Sequence, residues 1–99
     1  MTDTLHLEII TAGGAIVDTS AAQVTLPLAD GEVGILPGHA PLLGALMCGV
    51  VRYTAAGKEH YCAVSPGTVN VAAGNVTVLA RTAERAPDID LARAEAALH

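Results

Sequence analysis

Apolar residues recur at every second position over several short stretches, and this constrains the chain more than any other feature. "LHLEI" sets Leu5, Leu7 and Ile9 against His6 and Glu8, and "QVTLPL" sets Val24, Leu26 and Leu28 against Gln23, Thr25 and Pro27. "TVNVA" adds Val69 and Val71, "NVTVL" adds Val76 and Val78, and "VVRY" and "KEHYCAV" alternate less cleanly. Successive side chains of a strand point to opposite faces, so this pattern marks half-buried β-strands. Turn signals separate them: Gly13-Gly14, Asp30-Gly31, Ala56-Gly57, Pro66-Gly67 and Gly74-Asn75. Short strands punctuated in this way predict an antiparallel sandwich or barrel. Pro27 has no backbone donor, which predicts a sheet edge or a bulge at that point.

The pattern changes after Arg81. "APDIDLARAEAALH" has no alternation and is rich in Ala, Leu, Glu and Arg, which are good helix formers. Asp88 fits an N-cap, and Asp90 falls in the first turn, where the helix dipole favours a negative charge. Leu91, Ala94 and Leu98 share one stripe at helical spacing. So short a helix is marginal alone in water and needs a surface to lie against. The division expected is a β-domain over 1–84 and a short helical segment over 85–99.

With 99 residues this is one domain, able to bury roughly 60–65% of its extended surface. Half of the chain is hydrophobic (52%) but only 2% is aromatic, with no Phe and no Trp, so the core must be built from Val, Leu, Ile and Ala. A small core and that much apolar sequence predict exposed apolar surface, which commonly marks partner contacts. A formal net charge of -5, with five scattered basic residues, argues against nucleic acid, whose binding needs clustered Lys and Arg. No apolar run approaches the roughly 20 residues of a membrane span, so direct membrane insertion is not expected. "MTDTLHLE" lacks the basic and apolar regions of a secretory signal, which makes the cytosol the default. Cys48 and Cys62, 14 positions apart, do not supply zinc-site spacing and read as two buried or half-buried structural thiols.

One segment resists the strand reading. "DGEVGILPGHAPLL" (30–43) packs Pro37, Gly38 and Pro41 into five positions, which forbids a regular helix, yet it is too apolar for an ordinary solvated loop. It builds a pocket around His39 or is shaped for a partner to cover. His39 could serve as acid, base or metal ligand. The possible nucleophiles Ser20, Ser65, Cys48 and Cys62 lie in no nucleophile motif, and Ser65 in "AVSPG" reads as turn chemistry. His6, His60 and His99 do not cluster with His39 in sequence, and Asp30 and Glu32 read as solvated turn acids. Lys58, the only lysine, follows Gly57 alone, so there is no phosphate-binding loop. Nothing here specifies an active site, a metal site or a cofactor.

Read in order, "LEII", "VTLPLADGEVGILPGHAPLLGAL", "AVSPGTVNV" and "VTVLARTAERAPDIDLARAEAAL" resemble the epsilon subunits of bacterial F-type rotary ATP synthases over nearly the entire chain. The "GEVGILPGHAPLL" run is the most specific part. The resemblance implies a mainly β fold, a flattened antiparallel β-sandwich of about ten short strands followed by a C-terminal α-helical part. It implies a non-catalytic rotor subunit of the central stalk, bound to gamma and resting on the c-ring, that helps couple proton or sodium flow to ATP synthesis. Its place is peripheral, on the cytoplasmic face of the bacterial inner membrane.

The resemblance also places residues. Glu32 is expected near the polar loops of the c subunits, where a carboxylate can pair with basic side chains. His39, Leu36, Leu42 and Leu43 are expected to shape the contact with gamma and the ring, although a core role fits the leucines equally. The prolines fix the loop in advance and lower the ordering cost of docking. "IDLARA" (89–94) matches the family's Ile-Asp-Xaa-Xaa-Arg-Ala signature, associated with ATP binding in some members. That implies contacts from Ile89, Asp90, Arg93 and Ala94, with Glu84 adding a hydrogen bond. A plain i,i+3 helix pair between Asp90 and Arg93 is the alternative, worth about 0.2–0.5 kcal/mol. Here the sequence departs from the pattern. Against that pattern, the first helix is expected to be short and the second absent, together with the further arginines a triphosphate needs. ATP binding is expected to be weak or absent, and the arm that blocks hydrolysis largely missing. An ATP-sensing domain working through "IDLARA" and a small hydrolase using His39 stand as the alternatives.

Overall fold

The computed structural model describes residues 4–85, and in them ten strands. These are β1 (Leu5–Thr11), β2 (Gly14–Ala21), β3 (Gln23–Leu28), β4 (Gly31–Ile35), β5 (Leu42–Leu46), β6 (Gly49–Ala55), β7 (Lys58–Val64), β8 (Gly67–Ala72), β9 (Asn75–Ala80) and β10 (Ala83–Arg85). They hydrogen-bond in the order β10-β7-β6-β3-β5-β8-β9-β1-β2, with β4 attached to β3. The ladder folds over on itself: β2 comes alongside β6 and β10, and Arg85 donates to the Ile16 carbonyl at 3.5 Å. The expected antiparallel sandwich holds, with one parallel pair, β1 beside β9. β1 is the first strand, so sequence neighbours cannot supply both of its partners, and the distant β9 completes its second edge.

Alternation explains the core. Leu5, Leu7 and Ile9 of β1, Val24 and Leu26 of β3, Val69 and Val71 of β8, and Val76 and Val78 of β9 are all buried. No charged or polar residue is buried among the described residues. Aliphatic chains of this kind fill the interior without donors or acceptors that would need partners.

Hairpin chemistry fixes the register. Between β6 and β7 the loop is Ala56-Gly57, with φ of 53° and 75°; between β8 and β9 it is Ala73-Gly74, with φ of 51° and 79°. Both central residues are left-handed, as a two-residue type I′ turn requires. Gly67 opens β8 under a different constraint: a Cβ there would meet the Leu79 carbonyl oxygen at 1.8 Å.

Pro27 is accommodated by neither an edge nor a bulge. β3 has β4 on one side, with Pro27 opposite Glu32. On its other side β3 changes partner, pairing with β6 through Gln23–Thr25 and with β5 only at Leu28. The Pro27 carbonyl accepts from the Met47 amide at 2.8 Å on that side, where the ring nitrogen also faces. The missing donor therefore falls at the changeover, where no ladder bond is lost.

Four strands are not among those that the alternation marks in the sequence: β2, β4, β5 and β10. The segment from 30 to 43 is not one loop, because its first part is β4, with Val33 and Ile35 turned toward the core. A short turn follows, and then β5. The helix expected after Pro87 lies outside the described residues, and β10 ends on Arg85.

Candidate interaction surface

The turn joining β4 to β5 is built by its prolines and glycine. Pro37 and Gly38 take its centre, Gly38 has φ of 86°, and the His39 amide donates to the Leu36 carbonyl at 3.0 Å. Proline at the second position and a left-handed glycine at the third form a type II turn. The His39 ring is exposed, with its Nδ1 donating to the Ala40 carbonyl at 2.6 Å. That is its only side-chain bond among the described residues, and no hydroxyl or thiol is paired with it. Leu36, just before the turn, is exposed.

β5 divides the two leucines that follow. Leu42, Gly44 and Leu46 face inward, and Leu42 packs against the core. Leu43 and Ala45 face outward, and Met47 continues that side past the strand end. Leu43 is 79% exposed, the most exposed large apolar side chain among the described residues. Strand register carries the outward face across the sheet. Ala45 lies opposite Thr68, Thr68 opposite Leu79, Leu79 opposite Ile10, and Ile10 opposite Ala15. A row broken only by threonine thus crosses β5, β8, β9, β1 and β2 with Leu79 exposed in it, and Leu43 (opposite Asn70) and Met47 flank its Ala45 end along β5. Isolated exposed leucines are ordinary; a continuous strip on one face marks association.

Glu32 stands on β4, opposite Pro27, and is tied within the chain. Its Oε1 accepts from Arg52 Nη2 of β6 at 2.8 Å, across the outward face of β3. Both side chains stay substantially in water, at 59% and 41% exposure. The carboxylate is presented rather than sequestered, and a cation is already beside it.

Of the expected nucleotide contacts, only Glu84 falls in the described residues. It is exposed on β10, opposite Ala63 of β7. Ile89, Asp90, Arg93 and Ala94 lie outside them. The two thiols differ, and Cys48 departs from the expectation of two buried or half-buried thiols. Cys62 is buried on β7, and burial pushes its thiol up to about 11, whereas Cys48 is exposed in the turn from β5 to β6. That turn has to pass over Pro27 at the β3 changeover, which carries Cys48 outward.

Three features escaped the sequence. Arg52 sits at an outward position of β6, but its pairing with Glu32 needs the β4–β3–β6 adjacency. Leu79 reads as the last residue of an ordinary strand, and only the alternation Val76, Val78 against Thr77, Leu79 signals that it faces out. Met47 carried no signal.

A rigid sheet with an apolar outward strip, a preformed turn and an exposed ion pair defines a small β-sandwich that works by presenting surfaces to other proteins. The chain belongs to the family of ATP synthase delta/epsilon chains, whose beta-sandwich domain matches residues 4–86. It is 46% identical to the ATP synthase epsilon chain of Lawsonia intracellularis, over 98% of this chain and 73% of that one. It is 45% identical to that of Solibacter usitatus, over 99% and 73%. The solved structures that share the fold include two of mitochondrial ATP synthases. A chain of the Euglena gracilis mitochondrial ATP synthase aligns with a TM-score of 0.82 at 24% identity, covering 99% of this chain and 63% of that chain. One of the Tetrahymena thermophila mitochondrial ATP synthase, from its central stalk and c-ring, aligns with a TM-score of 0.68 at 12% identity, covering 95% and 85%.

Proposed function

We propose that this chain is the non-catalytic central-stalk subunit of a proton- or sodium-translocating ATP synthase, binding gamma and the c-ring and coupling ion flow to ATP synthesis. The observation that carries the reading is the 46% identity to an epsilon chain over 98% of the sequence. The physics agrees with it: the interior is aliphatic apart from Tyr53 and Cys62, and Leu43, Met47 and Leu79 stand exposed on the outward side of the sheet. Leu36, His39, Leu42 and Leu43 shape the contact with gamma and the ring, Leu42 by supporting the strand from inside and Leu36 and Leu43 by touching the partner. Glu32 meets the c-subunit loops, with Arg52 holding its carboxylate in place. The complex it joins is membrane-bound, and the chain docks on its cytoplasmic face.

Weak ATP contact through Glu84, Ile89, Asp90, Arg93 and Ala94 is proposed on the resemblance of the "IDLARA" segment alone, and calorimetric titration of the chain with ATP tests it. The main reading is tested by adding the purified chain to an ATP synthase complex depleted of its epsilon subunit, in sealed vesicles. Recovery of ATP-driven proton or sodium pumping is expected. Binding without recovery, or no binding, would contradict it.

A further inference from the structure

On β1 and β2, away from the turn and ion pair described above, three side chains with metal-binding atoms converge. His6 and Glu8 lie two residues apart on the outward face of β1, and register places Ser20 opposite His6 and Asp18 opposite Glu8. The His6 Nε2 lies 2.8 Å from the Asp18 carboxylate, and one donor atom from each of His6, Glu8 and Asp18 lies within 4.8 Å of the others. We propose that these three residues bind a divalent ion of the zinc class (Zn2+, Ni2+ or Cu2+).

Two independent lines support this. The first is the donor set. Hard ions such as Ca2+ and Mg2+ take oxygen ligands in large number, whereas an imidazole with two carboxylates suits borderline ions. Zinc ligands about 2.0–2.2 Å from the metal sit roughly 3.4 Å apart in a tetrahedron, so the His6–Asp18 pair, now at 2.8 Å, opens by about 0.6 Å and the widest separation closes by at most about 1.4 Å. His6 and Asp18 are 45% and 57% exposed, free to make that adjustment on a strand pair whose backbone stays fixed. The remaining coordination positions go to water.

The second line is the charge arrangement. Glu8 and Asp18 stand directly opposite one another, and like charges so placed on neighbouring strands destabilise the pair. No lysine or arginine among the described residues pairs with either of them. His6 satisfies Asp18 and leaves Glu8, which is half-buried, without an ion-pair partner among the described residues. A divalent cation between the three neutralises both carboxylates at once.

The sequence carried only the His-Xaa-Glu half of this arrangement. Asp18 joins it through the β1–β2 register, which no spacing rule reports. The site adjoins the apolar strip, which crosses these two strands at Ile10 and Ala15, but metal binding by the isolated chain holds or fails separately from the stalk function.

The test is a Zn2+ titration of the full chain, first stripped of metal with EDTA, followed by calorimetry and by thermal unfolding. One equivalent should bind at pH 7.5 and raise the unfolding temperature. His6→Asn and Glu8→Gln, both at solvent-facing positions and checked for native circular dichroism, should each weaken binding at least tenfold and abolish the temperature rise. Cys48→Ser should bind as the parent does, and Mg2+ in hundredfold excess should not compete. Absence of binding at 1 mM Zn2+ overturns the proposal. So does undiminished binding by His6→Asn, or loss of binding in Cys48→Ser, which would assign the metal to the exposed thiol.

Discussion

Replacing Glu32 with lysine separates the stability of this sandwich from its docking. In the structure Glu32 accepts from Arg52 at 2.8 Å, with both side chains substantially exposed. Exposed ion pairs contribute about 0.2–1 kcal/mol, so Glu32→Gln costs the isolated chain no more than about 1 kcal/mol. Lysine beside Arg52 adds a repulsion of about 1 kcal/mol at 4 Å in water. The total of about 2 kcal/mol lowers the unfolding temperature by roughly 8–16 °C in a domain of this size. Adding Arg52→Glu to Glu32→Lys restores an opposite-charge pair of reversed orientation and recovers most of that loss. Docking responds differently, because the partner meets a cation where the carboxylate stood. Thermal unfolding of the isolated chain reads the first quantity, and ATP-driven pumping in the reconstituted complex reads the second. Stability should return in the double variant while pumping stays impaired. Recovery of both together would refute the reasoning, because Glu32 would then act only through Arg52.

Gly67→Ala should destabilise the chain by more than about 3 kcal/mol in urea unfolding. The new Cβ would overlap the Leu79 carbonyl oxygen at 1.8 Å, and the obstacle is backbone that cannot rotate away. Cys48 should react with iodoacetamide under native conditions while Cys62 is protected until unfolding, as mass spectrometry of partly labelled chain would show. Cys62 also makes stability fall with alkali. Burial raises its folded-state pKa from 9.0 to about 11, so its contribution is whole below pH 9 and lost as pH rises through 11. Urea midpoints at pH 8 and pH 11, compared between the parent and Cys62→Ala, would measure this.

The parts of the fold that could be read in the sequence are those where one face is aliphatic and the other polar. β1, β3, β8 and β9 alternate in this way, and their inward residues are the buried ones. β5 could not be read, because Leu43 and Ala45 are apolar on the outward side as well, so its two faces look alike. The same property makes β5 the strand that carries the exposed strip, so the loss of the strand signal and the gain of the surface have one cause. β2 was obscured by Thr19 and Ala21, which face inward but are small or hydroxylic. In β4, Val33 and Ile35 alternate with Glu32 and Gly34, a signal masked by the prolines and glycines that follow.

The candidate surface was legible in part. The prolines and Gly38 fixed the turn, and Glu32, Leu36, His39 and Leu43 all proved exposed. Leu42 differs from Leu43 only by one step along a strand whose existence the sequence hid. Arg52, Asp18 and Leu79 enter their groupings through pairings between distant strands. Such adjacency follows from the order of strands in the sheet, and that order rests on collective burial rather than on local pattern.

The sandwich is proposed to work through an apolar outward face that a rotor protein grips, and affinity for the purified gamma subunit measures that grip most directly. Leu43→Asp removes a side chain whose burial is worth about 2 kcal/mol or more and places a charge in its position. The site is 79% exposed, so the isolated chain keeps its fold. At about 1.4 kcal/mol per decade, the affinity should fall at least 30-fold, and Leu79→Asp, across the same strip, should act in the same direction. Undiminished affinity in both variants, with their circular dichroism unchanged, would contradict the account.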